Sequence, residues 1–287
     1  MEWLNRPFTS EEIREAAFQI GPLKAPGCDG KPGIFFQKFW HIVGSLTTAS
    51  SLAFLNSGHL LKELNKTIIV LIPKVESPLF VTHYRPISLC NVAYKIISRA
   101  LVNRLRNIMD QIISPYQNAF VKGRLIFDNI MLGGEILNNI KRRKKGKGSL
   151  GALKIDMDKA CDRISWNFIK VVLECTGFSQ HWIKMILECI STVCYQIMVN
   201  GALIETIKPV RGLRQGDPLS PYLFILCQNI LSHLLIKAEA RKELHGIQIS
   251  RAAHQSVISY LLMIAMCSSE PISKLVKNLK PSLIHSA

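Results

Sequence analysis

The sequence predicts an α+β fold, on three observations. Residues 94–109 place apolar side chains at helical spacing, and residues 222–240 form a long, mostly apolar helical stretch. Residues 66–73 are rich in β-branched side chains, which favour a strand. Residues 195–207 carry Asn-Gly between two short runs, the pattern of a two-residue β-hairpin. With 287 residues, 48% of them hydrophobic, the chain can bury a sizeable core in one large domain or two lobes.

The composition indicates a polyanionic partner. The formal net charge is +16, and an excess of this size favours nucleic acid over a membrane surface. The eight cysteines include no C-x₂-C pair, so neither a zinc site nor a disulfide framework is indicated, which fits a reducing compartment. The longest apolar runs, residues 67–72 and 258–266, are too short to cross a bilayer. We therefore expect a nuclear or cytoplasmic protein that is not secreted and has no membrane partner.

The first third of the chain is predicted to be mainly helical. Residues 9–12, two hydroxyl side chains followed by two glutamates, are typical of a capped helix start. Residues 21–33 are rich in Pro and Gly, which indicates a loop. Residues 34–57 are predicted to form a mostly apolar, buried helix.

Two groups of cations have open interpretations. Arg99, Arg104 and Arg106 lie away from the apolar stripe of the helix at 94–109. They could follow a nucleic-acid backbone, and a solvated helix face explains them nearly as well. The basic run at 141–147 could be a nuclear localisation signal or a phosphate-binding loop, and a surface linker between two lobes is at least as good an explanation.

A cluster of carboxylates follows a short apolar run at residues 152–155. Asp156, Asp158 and Asp162 lie within seven residues, and Asp156 stands directly at the end of the predicted strand. A rigidly held carboxylate is a suitable ligand for a hard cation such as Mg²⁺. The residues alone leave open the alternative that one of these side chains caps a helix beginning near Asp158.

The loop at residues 211–221 combines flexible and polar residues. Gly212 and Gly216 allow the backbone to approach a ligand closely, and Gln215 offers a neutral hydrogen-bonding side chain. Ser220, followed by proline, predicts the capped start of the long helix that comes next.

These segments and several others resemble reverse transcriptases of plant LINE-type (non-LTR) retrotransposons. The resemblance is carried by blocks that occur in the family's order over most of the chain. They lie at residues 24–30 (KAPGCDG), 35–40 (FFQKFW), 71–74 (LIPK), 84–92 (YRPISLCNV), 117–124 (QNAFVKGR), 153–166 (motif A) and 212–221 (GLRQGDPLSP, motif B).

The resemblance implies a right-hand polymerase fold with fingers and an antiparallel palm sheet. Residues 1–60 would form an N-terminal helical region and residues 61–148 the fingers. Residues 149–265 would form the palm, and residues 266–287 a divergent tail. The thumb would be absent and the motif-C hairpin degenerate, as in a truncated copy.

The resemblance also implies a nucleotide site. Asp156 would be the catalytic carboxylate and a ligand of Mg²⁺. Lys74 and Arg85 would approach the triphosphate of the dNTP, where positive charge is needed, although each could be an ordinary exposed cation at a strand end. Gln215 and Gly216 would line the nucleotide.

Further positions would contact the nucleic acid or the sugar. Lys122, Arg124 and Arg214 would bind an RNA template and a DNA primer. Cys161 stands where the family has Tyr or Phe, whose ring blocks a ribose 2′-hydroxyl. The side chain of Cys161 is too small to block this hydroxyl.

One departure concerns catalysis itself. The family places an Asp-Asp pair, motif C, near residue 265, whereas residues 258–268 read ISYLLMIAMCS. Asp217 is the last aspartate in the chain. Because two of the three metal-binding carboxylates that the resemblance implies are missing, we expect the chain to be catalytically inactive.

Three hypotheses follow from the sequence. The chain is a reverse transcriptase domain, or a non-catalytic basic nucleic-acid-binding remnant of one, or a product of a degenerate element that folds poorly. Primer extension separates the first from the second, and a cooperative melt separates the second from the third.

Overall fold

The structure is a computed structural model that describes residues 2–142, 157 and 159–243. The described residues divide into two compact units. The first unit is drawn from Met1–Ile108 and Cys161–Phe224, and the second from Met109–Ala160 and Ile225–Ala287.

The strands of the first unit form a four-stranded sheet of order β2-β1-β3-β4. β1 pairs antiparallel with β2, β3 pairs antiparallel with β4, and β1 pairs in parallel with β3, so this sheet is mixed. The strands are β1 (Lys66–Pro73), β2 (Tyr84–Cys90), β3 (Cys194–Val199) and β4 (Ala202–Ile207).

The strand predictions are confirmed where the structure describes them. The predicted strand at 66–73 is β1, and the Asn-Gly hairpin is β3–β4, with φ of 50° at Asn200 and 80° at Gly201. The predicted antiparallel palm sheet would use residues 152–155 and the motif-C segment, which lie outside the described residues. The domain boundaries also stay predictions, although the β3–β4 hairpin shares a sheet with β1 and β2 across the predicted boundary at 148.

Helices make up most of the remaining described structure. In chain order they are α1 (Ser10–Phe18), α2 (Gly33–Lys38), α3 (Trp40–Ser57), α4 (Val92–Leu105), α5 (Met109–Ile112), α6 (Ile126–Arg142), α7 (Ala160–Arg163), α8 (Trp166–Cys175), α9 (Gln180–Ser191) and α10 (Ser220–Ala240).

The predictions for the first third of the chain are confirmed in part. α1 begins with the predicted cap: Thr9 Oγ1 accepts from Glu12 N–H, and Glu12 accepts from Thr9 N–H. The prediction of one buried helix at 34–57 is wrong, because Phe39 leaves helical geometry and separates α2 from α3. α3 is also not fully buried, since Ile42 and Leu46 are 65% and 75% exposed. An apolar composition did not reveal that only one face of α3 packs inward.

α4 packs its predicted apolar stripe inward but also buries a cation. Arg104 is 3% exposed, so it lies on neither of the two surfaces that the sequence left open, a nucleic-acid-binding surface or a solvated helix face. Its guanidinium donates to Glu12 and to the backbone carbonyls of Leu4, Arg6 and Pro7, and it lies 3.5 Å from the ring centroid of Phe8. Arg104 therefore fastens the N-terminal segment to α4.

α10 is the described helix that is long and apolar enough to cross a bilayer by length and composition. Its most apolar 18-residue window has a mean hydropathy of 1.3 and is 50% buried. The core helix of a protein without any membrane segment passes the same test, so this finding carries no membrane assignment.

The ion pair between Arg104 and Glu12 predicts a defined pH dependence of stability. Burial alone would raise the pKa of Glu12, but hydrogen bonds from Arg104 and Thr9 N–H outweigh it, so the pKa lies below the ordinary 4.5. A lowered pKa stabilises the fold above the unfolded-state value, and this stabilisation is lost as the pH falls through the folded-state value. Glu12→Gln should therefore lower the free energy of unfolding by about 1–2 kcal/mol at pH 7 and by progressively less at a pH well below the ordinary 4.5.

Urea unfolding at a series of pH values measures this difference. Glu15→Gln, on the exposed side of the same helix, is the matched control and should show no such window. An equal loss for Glu12→Gln at both pH values would contradict the ionic role.

Candidate functional site

Lys74 and Arg85 lie on the same face of the β1–β2 hairpin. Arg85 pairs with Ile72 across the strands, and Lys74 N–H donates to His83 O at 2.8 Å, so the pairing extends one residue beyond β1. Cross-strand partners point to the same face of a sheet, and so do residues two apart along one strand. Lys74 and Arg85 are therefore diagonal neighbours on one face, with Cα atoms about 7–8 Å apart. Both side chains are exposed. The two cations predicted to approach a triphosphate are thus brought together by strand register.

The loop between β4 and α10 covers the outer edge of β2. Ser88 N–H, in the middle of β2, donates to Gln215 O at 2.9 Å. Gly216 has φ of +111°, and a Cβ there would lie 3.1 Å from Ser88 O. The loop therefore satisfies backbone groups that an edge strand would leave unpaired. It also places Gln215 and Gly216 about 10 Å along the strand from Arg85.

The same loop is fastened to the segment that surrounds α7. Gly212 N–H donates to Ile164 O and Leu213 N–H donates to Cys161 O, both at 2.8 Å. Trp166 Nε1–H donates to Gly212 O, also at 2.8 Å. Gly212 has φ of +94°, and a Cβ there would lie 2.9 Å from the carbonyl oxygen of Asp162. Cys161 thus stands directly beside the loop.

A buried ion pair lies at the base of the loop. Arg214 Nη2 is 2.9 Å from Asp217 Oδ2, and the two side chains are 2% and 1% exposed. Tyr94 Oη donates to Asp217 Oδ2 at 2.7 Å, and Ser98 Oγ donates to Asp217 Oδ1 at 2.6 Å. Leu219 N–H donates to the same Oδ1 at 3.0 Å. The carboxylate of Asp217 therefore accepts three hydrogen bonds in addition to its ion pair with Arg214.

The remaining bonds of Arg214 also point inward. Its guanidinium donates to Asn65 Oδ1, to Thr67 Oγ1 and to Cys189 O, and it lies 4.0 Å from the ring centroid of Tyr94. A contact with template or primer would require these bonds to break. We therefore correct the template-binding assignment of Arg214 to a structural one.

Burial and charge act together on this cluster. Burial alone would lower the pKa of Arg214, but Tyr94 and Asp217 outweigh it, so the pKa is raised and the guanidinium stays charged. Burial raises the pKa of Tyr94 well above its ordinary value. Tyr94 accordingly keeps the proton that it donates to Asp217.

The predicted template-binding residues of the second unit have different environments. Arg124 donates to the backbone carbonyls of four residues, Asp110, Ile113, Ser114 and Gln117. These bonds organise the loop between α5 and α6, so the geometry gives Arg124 a structural role and no support for a template contact. Lys122, two residues earlier, is exposed, and its assignment stays a prediction.

The predicted metal site cannot be placed. Asp156 and residues 258–268 lie outside the described residues. Within the part of the chain that the structure describes, no three His, Cys, Asp or Glu side chains form a group that could hold a metal ion. The roles of Asp156 as catalytic residue and metal ligand, and the use of Mg²⁺, stay predictions.

Sequence reasoning missed Asp217 as an anchor, but it placed the helix start at Ser220, where α10 does begin. The predicted capping role of Ser220 is not found, because its buried hydroxyl has no hydrogen-bond partner among the described residues. Asp217 Oδ1 accepts from the N–H of Leu219, the residue directly before α10. The i, i+3 spacing of Arg214 and Asp217 was the available signal.

Comparison with known proteins shows which family and which relatives this sequence is similar to. The sequence model of the family described as "Reverse transcriptase (RNA-dependent DNA polymerase)" matches residues 72–277. An uncharacterized 149 kDa protein of transposon TX1 from Xenopus laevis is 29% identical over 258 residues, which cover 90% of this chain and 19% of that protein. The Pol polyprotein of a type-1 retrotransposable element R2 from Popillia japonica is 26% identical over 246 residues, or 84% of this chain and 32% of that protein.

A shorter match has higher identity. An uncharacterized mitochondrial protein from Arabidopsis thaliana is 55% identical over 53 residues, which cover 18% of this chain and 43% of that protein. The chain thus spans about a fifth to two fifths of the length of these three relatives.

The close approach at Gly212 predicts a large effect of adding one methyl group. Gly212→Ala combines an unfavourable positive φ with a 2.9 Å contact to Asp162 O, so we expect a loss of about 2–4 kcal/mol in the free energy of unfolding. Gly201→Ala is the matched control, since Gly201 has φ of +80° and open space around its Cβ position. It should cost about 1 kcal/mol. Urea unfolding of both variants tests this, and equal losses would refute the contact.

Proposed function

The chain belongs to the reverse transcriptase (RNA-dependent DNA polymerase) family, as the domain of this kind found in non-LTR retrotransposons, and from this premise we propose that it binds RNA template, DNA primer and dNTP without polymerising. The proposed nucleotide binding rests on the grouping of Lys74, Arg85 and the Gln215–Gly216 loop around β2. The proposed loss of polymerisation rests on the sequence at the expected motif C.

The arrangement around β2 supports nucleotide binding. A triphosphate needs several positive charges close together, and Lys74 and Arg85 supply two on one face of the hairpin. Arg85 can engage two phosphate oxygens at once, whereas Lys74 acts as a point charge. Gln215 is exposed at the edge of the same strand, where it can donate to and accept from the sugar or base.

The charge of the chain supports binding of template and primer. A formal net charge of +16 attracts polyanions regardless of their sequence. Exposed cations such as Lys122 are available for phosphate contacts, whereas Arg104 and Arg214 are not. We further propose that the single four-stranded sheet of the first unit forms part of the fingers, with β3–β4 included.

The donor set does not fit a pair of catalytic metal ions. The family match extends to residue 277, so it includes the segment at 258–268 where the Asp-Asp pair is expected. That segment contains no carboxylate, and Asp156 is left as the one aspartate of the expected three. One carboxylate is too little charge to hold two divalent cations, so no chemical step is assigned to this chain.

Primer extension on an RNA template tests the loss of catalysis. The chain and its Asp156→Ala variant should both incorporate dNTP at the background level. The double variant Ala265→Asp with Met266→Asp restores two carboxylates where the family has them, and it should incorporate above background only while Asp156 is present. Incorporation by the unaltered chain that disappears in Asp156→Ala would show that the proposed inactivity is wrong.

The second candidate function is a basic remnant that binds nucleic acid and no nucleotide, favoured by the same net charge. Both candidates predict that binding weakens steeply with salt. The proposed function alone predicts that the dNTP matching the template tightens the complex, by several-fold, and that Lys74→Ala removes this tightening because it removes a charge at the phosphates.

Fluorescence anisotropy of a labelled RNA–DNA primer–template, with and without the matching dNTP, measures both effects. Lys66→Ala is the matched control, because Lys66 is an exposed lysine at the opposite end of β1. Tightening by dNTP that survives in Lys74→Ala, or that is lost equally in Lys66→Ala, would contradict the assignment.

A further inference from the structure

We propose that Tyr94, Ser98 and Arg214 are positioning residues that hold Asp217, and through it hold Gln215 and Gly216 at the edge of β2. The inference rests on the proposed nucleotide role of that loop and names the groups that set its geometry. None of the three touches the nucleotide in this proposal.

The loop tip is a two-residue bridge closed by the ion pair. Only Gln215 and Gly216 lie between Arg214 and Asp217, and both are exposed while their neighbours are buried. The 2.9 Å contact between Arg214 Nη2 and Asp217 Oδ2 therefore closes the base of the tip. A tip this short follows the positions of its two anchors.

Each anchor is itself fixed from a different part of the first unit. Asp217 is held by α4, whose Tyr94 and Ser98 are spaced i, i+4 and so share one helix face. Arg214 is held by Asn65 and Thr67 at the start of the sheet and by Cys189 O at the end of α9. The tip consequently takes its position from the sheet and two helices together.

The carboxylate of Asp217 is held on several sides, which restricts movement of the loop. It accepts hydrogen bonds from Tyr94, Ser98 and Leu219 N–H and forms an ion pair with Arg214. Hydrogen bonds to a charged group are stronger than neutral ones and less easily exchanged in a buried site. Holding the tip in place before the ligand arrives avoids the cost of ordering it on binding.

Tyr94→Phe is the variant that tests this positioning. It removes one donor to Asp217 but keeps the ring that lies over Arg214. Asp217→Asn is less informative, since it leaves the charge of Arg214 buried and unpaired and could prevent folding. Ser98→Ala is a second deletion on the same carboxylate, and Tyr116→Phe is the matched control, because the contacts found for Tyr116 use its backbone.

The first readout is hydrogen–deuterium exchange of the Ser88 amide, which donates to Gln215 O. In Tyr94→Phe it should exchange about tenfold faster, the loss of one hydrogen bond to a charged group, while amides in β3 are unchanged. Tyr116→Phe should leave both unchanged. A purely structural role would raise exchange at Ser88 and in β3 in the same proportion, which would overturn the inference.

The second readout is the tightening of the primer–template complex by the matching dNTP. Tyr94→Phe and Ser98→Ala should reduce this tightening several-fold while the affinity for primer–template alone is unchanged. Faster exchange at Ser88 with undiminished tightening would overturn the inference. If the unaltered chain shows no tightening, the proposed nucleotide function fails, and the exchange at Ser88 still decides whether Tyr94 and Ser98 position the loop.

Discussion

The buried ion pair of Arg214 and Asp217 is the interaction on which the first unit depends. Transferring two charges from water into a protein interior costs more free energy than their attraction returns, unless further hydrogen bonds satisfy both groups. Here these bonds come from three elements: two from α4, one from the start of β1 and one from the end of α9. The need to compensate the two charges therefore forces these elements into one arrangement.

α4 contacts several other segments of the first unit along its length. At its N-terminal end Asn91 accepts from Asp29 N–H and donates to the carbonyls of Glu63 and Leu64. At its other end Arg104 holds the N-terminal segment through Glu12 and three carbonyls. One helix thus joins the glycine-rich loop before α2, the approach to β1, the loop before α10 and the N-terminus.

Local features of the fold followed from the sequence, and tertiary ones did not. The Asn-Gly hairpin and the capping box at Thr9 depend on residues near each other in the chain, so pattern was sufficient. The mixed sheet depends on pairing of β1 with β3, over a separation that no local pattern encodes. The exposure of α3 was missed because an apolar helix with no charged residue shows no polar face to mark its outer side.

The arginines explain why the candidate site was predicted only in part. Arg124 and Arg214 were assigned to nucleic acid, and Arg104 was left open between nucleic acid and solvent. Each instead donates to groups of the protein itself. A guanidinium looks the same in sequence whether phosphates or carbonyls surround it, because only the distant partners differ. Lys74 and Arg85 were selected by their motif, and their common face emerged only from strand register.

The contact between Cys161 and the motif-B loop bears on which side chains residue 161 can carry. Leu213 donates to the main-chain oxygen of Cys161, and Gly212 to that of Ile164, so neither bond uses the side chain of Cys161. Selection for a folded chain consequently places little constraint on which side chain stands at 161. The main-chain hydrogen bonds beside the loop can therefore persist through a change of side chain at 161.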